Sequence, residues 1–264
     1  MPFTISHAAF VLPFQRWVSE RQLCALMAGS LAPDFVYFTR DFKVARFAHT
    51  LPGAVAISLP IGLVVYWIVS VGFRRFVDRI PDPHTTFLST WDLYTGKGRS
   101  SFFGLVLFVF LGVLSHNIVD SFTHGTGTAV SWFPVLSREV FTLHGISIRV
   151  FRLLQYVGSV VGLMILALVY LLAFLRFCRS RQLALWQDGR CWFNWIGLLT
   201  ATGFVSLIIN YGFAFKAWNF HVARAFVFNF LITWMPLGGV ALLLYLFFPL
   251  RSTPNNVCGR KSIP

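Results

Sequence analysis

Three residues at a fixed interval carry the clearest chemical signal in this sequence. His116, Asp120 and His124 stand four apart, so on an α-helix of 3.6 residues per turn each step drifts about 40° and all three share one face. Gly125 and Gly127 then supply a helix stop. Imidazole nitrogen and carboxylate oxygen are ligands that zinc accepts, and His116 and Asp120, on adjacent turns, can bind one ion together. His124 lies roughly 12 Å along the axis from His116, which suits a second ion or a different role. An ionisable pair at the end of so apolar a stretch as 101–114 is costly unless paired or metal-bound, and so points to function. The plainer alternative is a helix end whose polar residues reach water. His49, just before another apolar stretch, is a further candidate ligand, while Asp34 after Pro33 reads on its own as turn chemistry.

The elements that must position these residues are membrane spans. Hydrophobic residues make up 56% of the 264 and charged residues only 12%, with a mean hydropathy of +0.69. Ordinary globular domains run near roughly 45–50% and about 25%. Several apolar stretches reach the roughly 20 residues that cross about 30 Å of hydrocarbon. We expect an all-α integral membrane protein with about five spans, over 51–73, 101–119, 153–175, 192–215 and 226–250. Residues 1–50 read as an N-terminal region with two short interfacial helices. One is N-capped by Ser6 and begins near His7; the other runs from Glu20 to Leu31 and is ended by Pro33. Residues 1–250 thus form a single membrane domain, and 251–264 read as a polar, disordered tail.

The formal charge of +13 could suggest a nucleic-acid partner. Arg74, Arg75, Arg176, Arg179 and Arg181, however, directly follow apolar stretches, as residues do that anchor helix ends to anionic headgroups. The expected partner is therefore the lipid bilayer and no nucleic acid. The cysteines, Cys24, Cys178, Cys191 and Cys258, include no CxxC pair, which argues against a disulfide framework or a cysteine zinc site. Five spans give a parity argument: His7, Asp34, His49, Asp120, His124, His144 and His221 share one membrane face, His116 lies one turn below it, and His84 falls opposite. His144 and His221 read as structural or interfacial. Arg138, Arg149, Arg152 and Arg224 share the histidine face and read first as headgroup contacts, second as phosphate holders. Twelve of the 22 Lys and Arg crowd the other face, in short loops and the tail. The positive-inside rule then puts the chain in the cell (inner) membrane with the histidine face extracytoplasmic.

The runs Met1 to His7, Gly29-Ser30-Leu31-Ala32-Pro33-Asp34-Phe35, His49-Thr50 and Ser115 to His124 resemble a family of bacterial multi-pass membrane proteins catalogued as a domain of unknown function. More distantly, the order His, Asp, His, His-x3-Asp, His resembles the membrane-bound metal-dependent hydrolases regulated by LexA and the all-helical zinc-dependent phospholipase C fold. That resemblance implies His49, His116 and Asp120 as primary zinc ligands and Asp34 as ligand or general base. It implies His7 for a second metal and His124 for a neighbouring one. The soluble phospholipases use an N-terminal tryptophan as a ligand and carry a later His-x3-Glu pair; here the chain starts Met1-Pro2 and neither Glu20 nor Glu139 completes such a pair. The expectation is accordingly one or two divalent ions, zinc-like, rather than a three-metal cluster.

Three functions compete. A metal-dependent hydrolase would act on a phosphoester or phospholipid, with the metal polarising the phosphoryl oxygen. A non-catalytic metal-binding membrane protein would use the ion to tie the N-terminal region to the second span. A transporter is the third reading, weakened because span 153–175 has no acidic or basic residue and no pair of broken helices faces the midplane.

Overall fold

The computed structural model describes residues 4–97, 100–143, 146–183, 190–210 and 220–247. It divides into two compact units: Met1–Ile68 with Lys97–Leu172, and Val69–Gly96 with Ala173–Pro264. Almost every element is helical, as expected from the composition.

The first unit holds all six candidate residues. A 3-10 turn (Thr4–His7), α1 (Ala8–Val11) and a second 3-10 turn (Leu12–Arg16) lead to α2 (Glu20–Phe35). Ser19 starts α2 with a reciprocal cap: its hydroxyl accepts from the Gln22 N–H, and the Gln22 side chain accepts from the Ser19 N–H. The helix runs through Pro33 rather than ending at Leu31. Pro33 has no N–H and so forgoes one backbone hydrogen bond, while Ala32 beside it is buried against Val113 of the second span. Asp41 N-caps α3 (Phe42–Ala48), accepting from the N–H groups of Lys43 at 2.9 Å and Val44 at 3.1 Å.

The first span, Leu51–Val77, consists of α4 (Leu51–Gly53), a π-helical turn (Ala54–Ser58) and α5 (Leu59–Val77). The helix α6 (His84–Leu88) and α7 (Asp92–Thr95) precede α8 (Phe102–Thr123), the second span. A short α9 (Thr128–Trp132) follows. Then comes an element the sequence pattern was not read to contain, an antiparallel hairpin of β1 (Glu139–Leu143) and β2 (Ile146–Arg149). The third span, α10 (Val150–Arg181), leaves the hairpin directly.

The core of this unit is built on small residues. Ala25 and Ala28 of α2 meet Val109 of α8 and Tyr66 of α5. A Cβ on Gly29 would stand 2.0 Å from the Val109 carbonyl oxygen, and one on Gly112 would stand 2.1 Å from that of Leu26. Such close approach is how helices pack where lipid removes the hydrophobic drive between them. The buried stripe of α8 is Val109, Gly112, Val113, His116, Asp120 and Thr123. The helical period that buries Val109 and Gly112 against α2 therefore also carries His116 and Asp120 inward.

In the second unit, α11 (Arg190–Ile209) packs on α12 (Phe220–Phe247). Polar side chains join them: the Ser206 hydroxyl donates to the Phe230 carbonyl at 3.0 Å, the Asn210 amide to Thr233 at 3.2 Å, and the Trp234 indole to Thr202 at 3.1 Å. Among the described residues four helices are long and apolar enough to cross a membrane: Leu51–Val77, Phe102–Thr123, Val150–Arg181 and Ala225–Phe247. The expected span over 192–215 contributes a shorter apolar helix, Trp195–Ile209, and residues 211–219 lie outside the described residues. Between 11% and 22% of each long apolar window is buried inside the protein, so most of its surface faces outward and suits lipid rather than water. The tail, 251–264, also lies outside the described residues.

Candidate metal centre

Asp34, His49, His116 and Asp120 come together from three separate stretches of chain, α2, the end of α3 and α8. One ligand atom from each lies within 4.8 Å of every other, and the group could hold a metal ion. Each histidine is fixed by the backbone. The His116 Nδ1–H donates to the Ser30 carbonyl at 2.8 Å, and the His49 Nδ1–H to the Ala45 carbonyl at 2.7 Å. With the proton on Nδ1, each ring turns the lone pair of Nε2 inward, and the two Nε2 atoms stand 3.2 Å apart. Two lone pairs cannot hydrogen-bond each other, whereas a cation between them satisfies both.

The carboxylates complete the arrangement. His49 Nε2 lies 3.4 Å from Asp34 Oδ1 and 3.5 Å from Asp120 Oδ2. His116 Nε2 lies 3.6 Å from Asp34 Oδ1 and 3.3 Å from Asp120 Oδ2. Five of the six distances among these atoms are 3.2–3.6 Å and the sixth, Asp34 to Asp120, is within 4.8 Å, so a point between them lies about 2.0–2.4 Å from all four, near the length of metal–nitrogen and metal–oxygen bonds. The ligand set is imidazole and carboxylate, which suits borderline-to-hard divalent ions.

Local sequence explains the placement. Ser30 and Asp34 are one turn apart on α2, so the helix that offers a carbonyl to His116 also offers the carboxylate. The continuation of α2 through Pro33 is what puts Asp34 on that face. His49 is the C-cap of α3, and α3 is clamped to the first span. Ser58 donates to the Ala48 carbonyl at 2.9 Å, and a Cβ on Gly53 would stand 1.8 Å from the Phe47 carbonyl oxygen.

His7 and His124 flank the four. The His7 ring stacks on His116 with centroids 3.8 Å apart, and its Nε2 lies 3.4 Å from Asp120 Oδ1. Neither His7 ring nitrogen has a hydrogen-bond partner among the described residues. Burial first, then His116, pushes the His7 imidazole down to about 3 against the opposing pull of Asp120 and Asp34. Burial alone would raise the Asp34 carboxyl, but His116 and the His49 contact outweigh it and hold it below the ordinary carboxylate range. His124 is not in the helix: α8 ends at Thr123, and His124 is extended, at φ −119° and ψ 138°. Its Nδ1 turns back to the Asp120 carbonyl at 3.3 Å and to Asp120 Oδ2 at 3.4 Å, while the Gln155 amide lies 3.2 Å from its Nε2. The shared helix face expected of all three residues therefore holds for His116 and Asp120 alone.

The profile of one protein family, described as Domain of unknown function (DUF4184), matches residues 1–247. The chain belongs to the DUF4184 family. No curated protein and no solved structure matches it. Within this DUF4184 chain the candidate metal group borders a cleft of about 480 Å³ whose lining includes His49, Asp120 and His124. Asp34 is buried behind them and does not line the cleft. His84 belongs to the second unit, where it stacks on Phe174 at 4.2 Å. His144 lies outside the described residues, as does the side chain of His221. Sequence reasoning passed over three participants: the Ser30 and Ala45 carbonyls, which no side-chain pattern reveals, and Arg46 on the cleft wall. The spacing of Ala45 and His49, one helical turn, was the available signal.

Proposed function

We propose that this DUF4184 protein is a membrane-bound, zinc-dependent hydrolase of phosphoesters, phospholipid headgroups included. The observation that carries the reading is the pair of backbone-locked histidines with Nε2 atoms 3.2 Å apart, flanked by two carboxylates and bordering a cleft. A bound divalent ion supplies Lewis acidity and a water acidic enough to ionise near neutral pH. Asp34, His49, His116 and Asp120 are the residues that would hold it. His7, with Nε2 beside Asp120 Oδ1, is the candidate ligand for a second ion, and His124 orients Asp120 from the cleft side. The Asp34 Oδ2 atom, buried without a hydrogen-bond partner among the described residues, is the proposed proton acceptor for the attacking water, which it would meet from behind the metal group rather than from the cleft. The resemblance of the residue order to LexA-regulated membrane hydrolases and to zinc-dependent phospholipase C supports the phosphoester class.

The test is metal analysis of purified protein with a screen of phosphoesters and phospholipids. Asp34→Asn keeps size and removes charge; the proposal expects it folded and metal-bound with hydrolysis lowered by roughly 10²–10⁴-fold, the general-base contribution. Full activity in Asp34→Asn removes that role and leaves His124, on the cleft wall, as the proton acceptor.

A second reading has an observation of its own. Four protein side chains at near-tetrahedral spacing can close the shell of a structural ion, with no position left for substrate. On that reading, Asp34→Asn lowers metal content and melting temperature together, and the wild type hydrolyses nothing.

A further inference from the structure

We propose that Arg46 forms an anion-binding subsite in the cleft beside the metal group, which selects substrates carrying a phosphate or a similar oxyanion. The proposal deepens the hydrolase reading and rests on it for the identity of the reaction, though not for the existence of the subsite. Arg46 lies on α3 three residues before His49, and both side chains line the same cleft. Because α3 is short, capped by Asp41 and clamped to the first span, it holds the backbone of Arg46 and of His49 in a fixed relation, one turn apart. Among the described residues no carboxylate is ion-paired with Arg46, whose side chain is exposed.

Charge balance decides what that cation is for. Asp34 and Asp120 would cancel the formal charge of a divalent ion, so the metal group would supply Lewis acidity but no net positive charge to draw an anion in. Arg46 restores a positive charge on the approach side. The rest of the wall offers neutral polar groups: Tyr37, Thr50, Asn117, Ser121 and Thr128. A planar guanidinium with hydroxyl and amide donors around it is the chemistry that recognises a tetrahedral oxyanion. Leu51, the first residue of the first span and two-thirds exposed at 66%, borders the same cleft, so an anion carried on a lipid and one free in water both have a route to it.

The experiment titrates inorganic phosphate into zinc-loaded, detergent-solubilised full-length protein, and into Arg46→Gln and Arg46→Lys. We expect phosphate affinity to fall at least tenfold in Arg46→Gln and less in Arg46→Lys, with zinc content unchanged in both. Equal phosphate affinity in wild type and Arg46→Gln, or no binding by wild type, overturns the subsite. Turnover is followed in two arms, 4-nitrophenyl phosphate in solution and phosphatidic acid in phosphatidylcholine vesicles, and the arm that is hydrolysed names the source of the anion. Arg46→Gln should raise KM in that arm far more than it lowers kcat. Phosphate binding lost in Arg46→Gln, with neither substrate hydrolysed by wild type, upholds the subsite and sinks the hydrolase reading. Hydrolysis with an unchanged KM in Arg46→Gln does the reverse.

Discussion

His116 shows how a single residue can be committed to one role by its surroundings. It is fully buried, stacked on His7, tied at Nδ1 to the Ser30 carbonyl, and faces two carboxylates and His49 with Nε2. His7 has a different commitment, to staying neutral. Its pKa is pushed from the ordinary 6.5 to about 3, so the unfolded chain binds a proton that the folded chain refuses between those values. Stability must then fall as pH drops through that window. The depressed Asp34 carboxyl has the same sign at the acid end, because protonation favours the unfolded chain. In chelator-treated protein, melting temperature should decline between pH 7 and pH 5, and His7→Phe, which keeps a ring on His116, should flatten the decline. An identical pH slope in the two proteins would mean that His7 carries none of it.

At the scale of elements, the site depends on how closely α2 approaches α8. Gly29 and Gly112 set that distance, each meeting a backbone carbonyl of the other helix. Gly29→Ala should force the helices apart, at a cost of about 1–3 kcal/mol for overpacking. The Ser30 carbonyl would then move off His116 and metal would be lost along with melting temperature. Gly239→Ala, with nothing within 4 Å of its new Cβ, is the control and should change neither. Unchanged metal content in Gly29→Ala would show that the interhelical spacing is not what holds the ligands. Much of this level was legible in the sequence. The His116–Asp120 interval, the apolar run of α8 and the location of His49 just before a span all follow from period and composition. The end of α2 did not, because Pro33 is a local signal and its packing against α8 is a distant one. The fate of His124 was illegible for the same reason: whether the last turn of α8 includes it is decided by the Gly125–Gly127 turn and by Gln155.

For the whole molecule, composition was enough to indicate outward-facing apolar helices, while span boundaries shifted by several residues because helices outrun their apolar stretches into polar flanks such as Arg176–Arg181. The orientation we propose rests on charge rather than on shape. A reporter fused after Pro264 should read as cytoplasmic, with the histidine face outside; an extracytoplasmic signal would reverse the assignment. We propose that Asp34, His49, His116 and Asp120 hold one ion in common, with His7 as the candidate for a second. The decisive measurement is metal content per chain in purified full-length protein. We expect one to two equivalents of a zinc-like ion in wild type, a loss of at least one equivalent in each of His49→Ala, His116→Ala and Asp120→Ala, and no change in His84→Ala, which packs on Phe174 in the other unit. The same metal content in all five proteins would contradict the shared site.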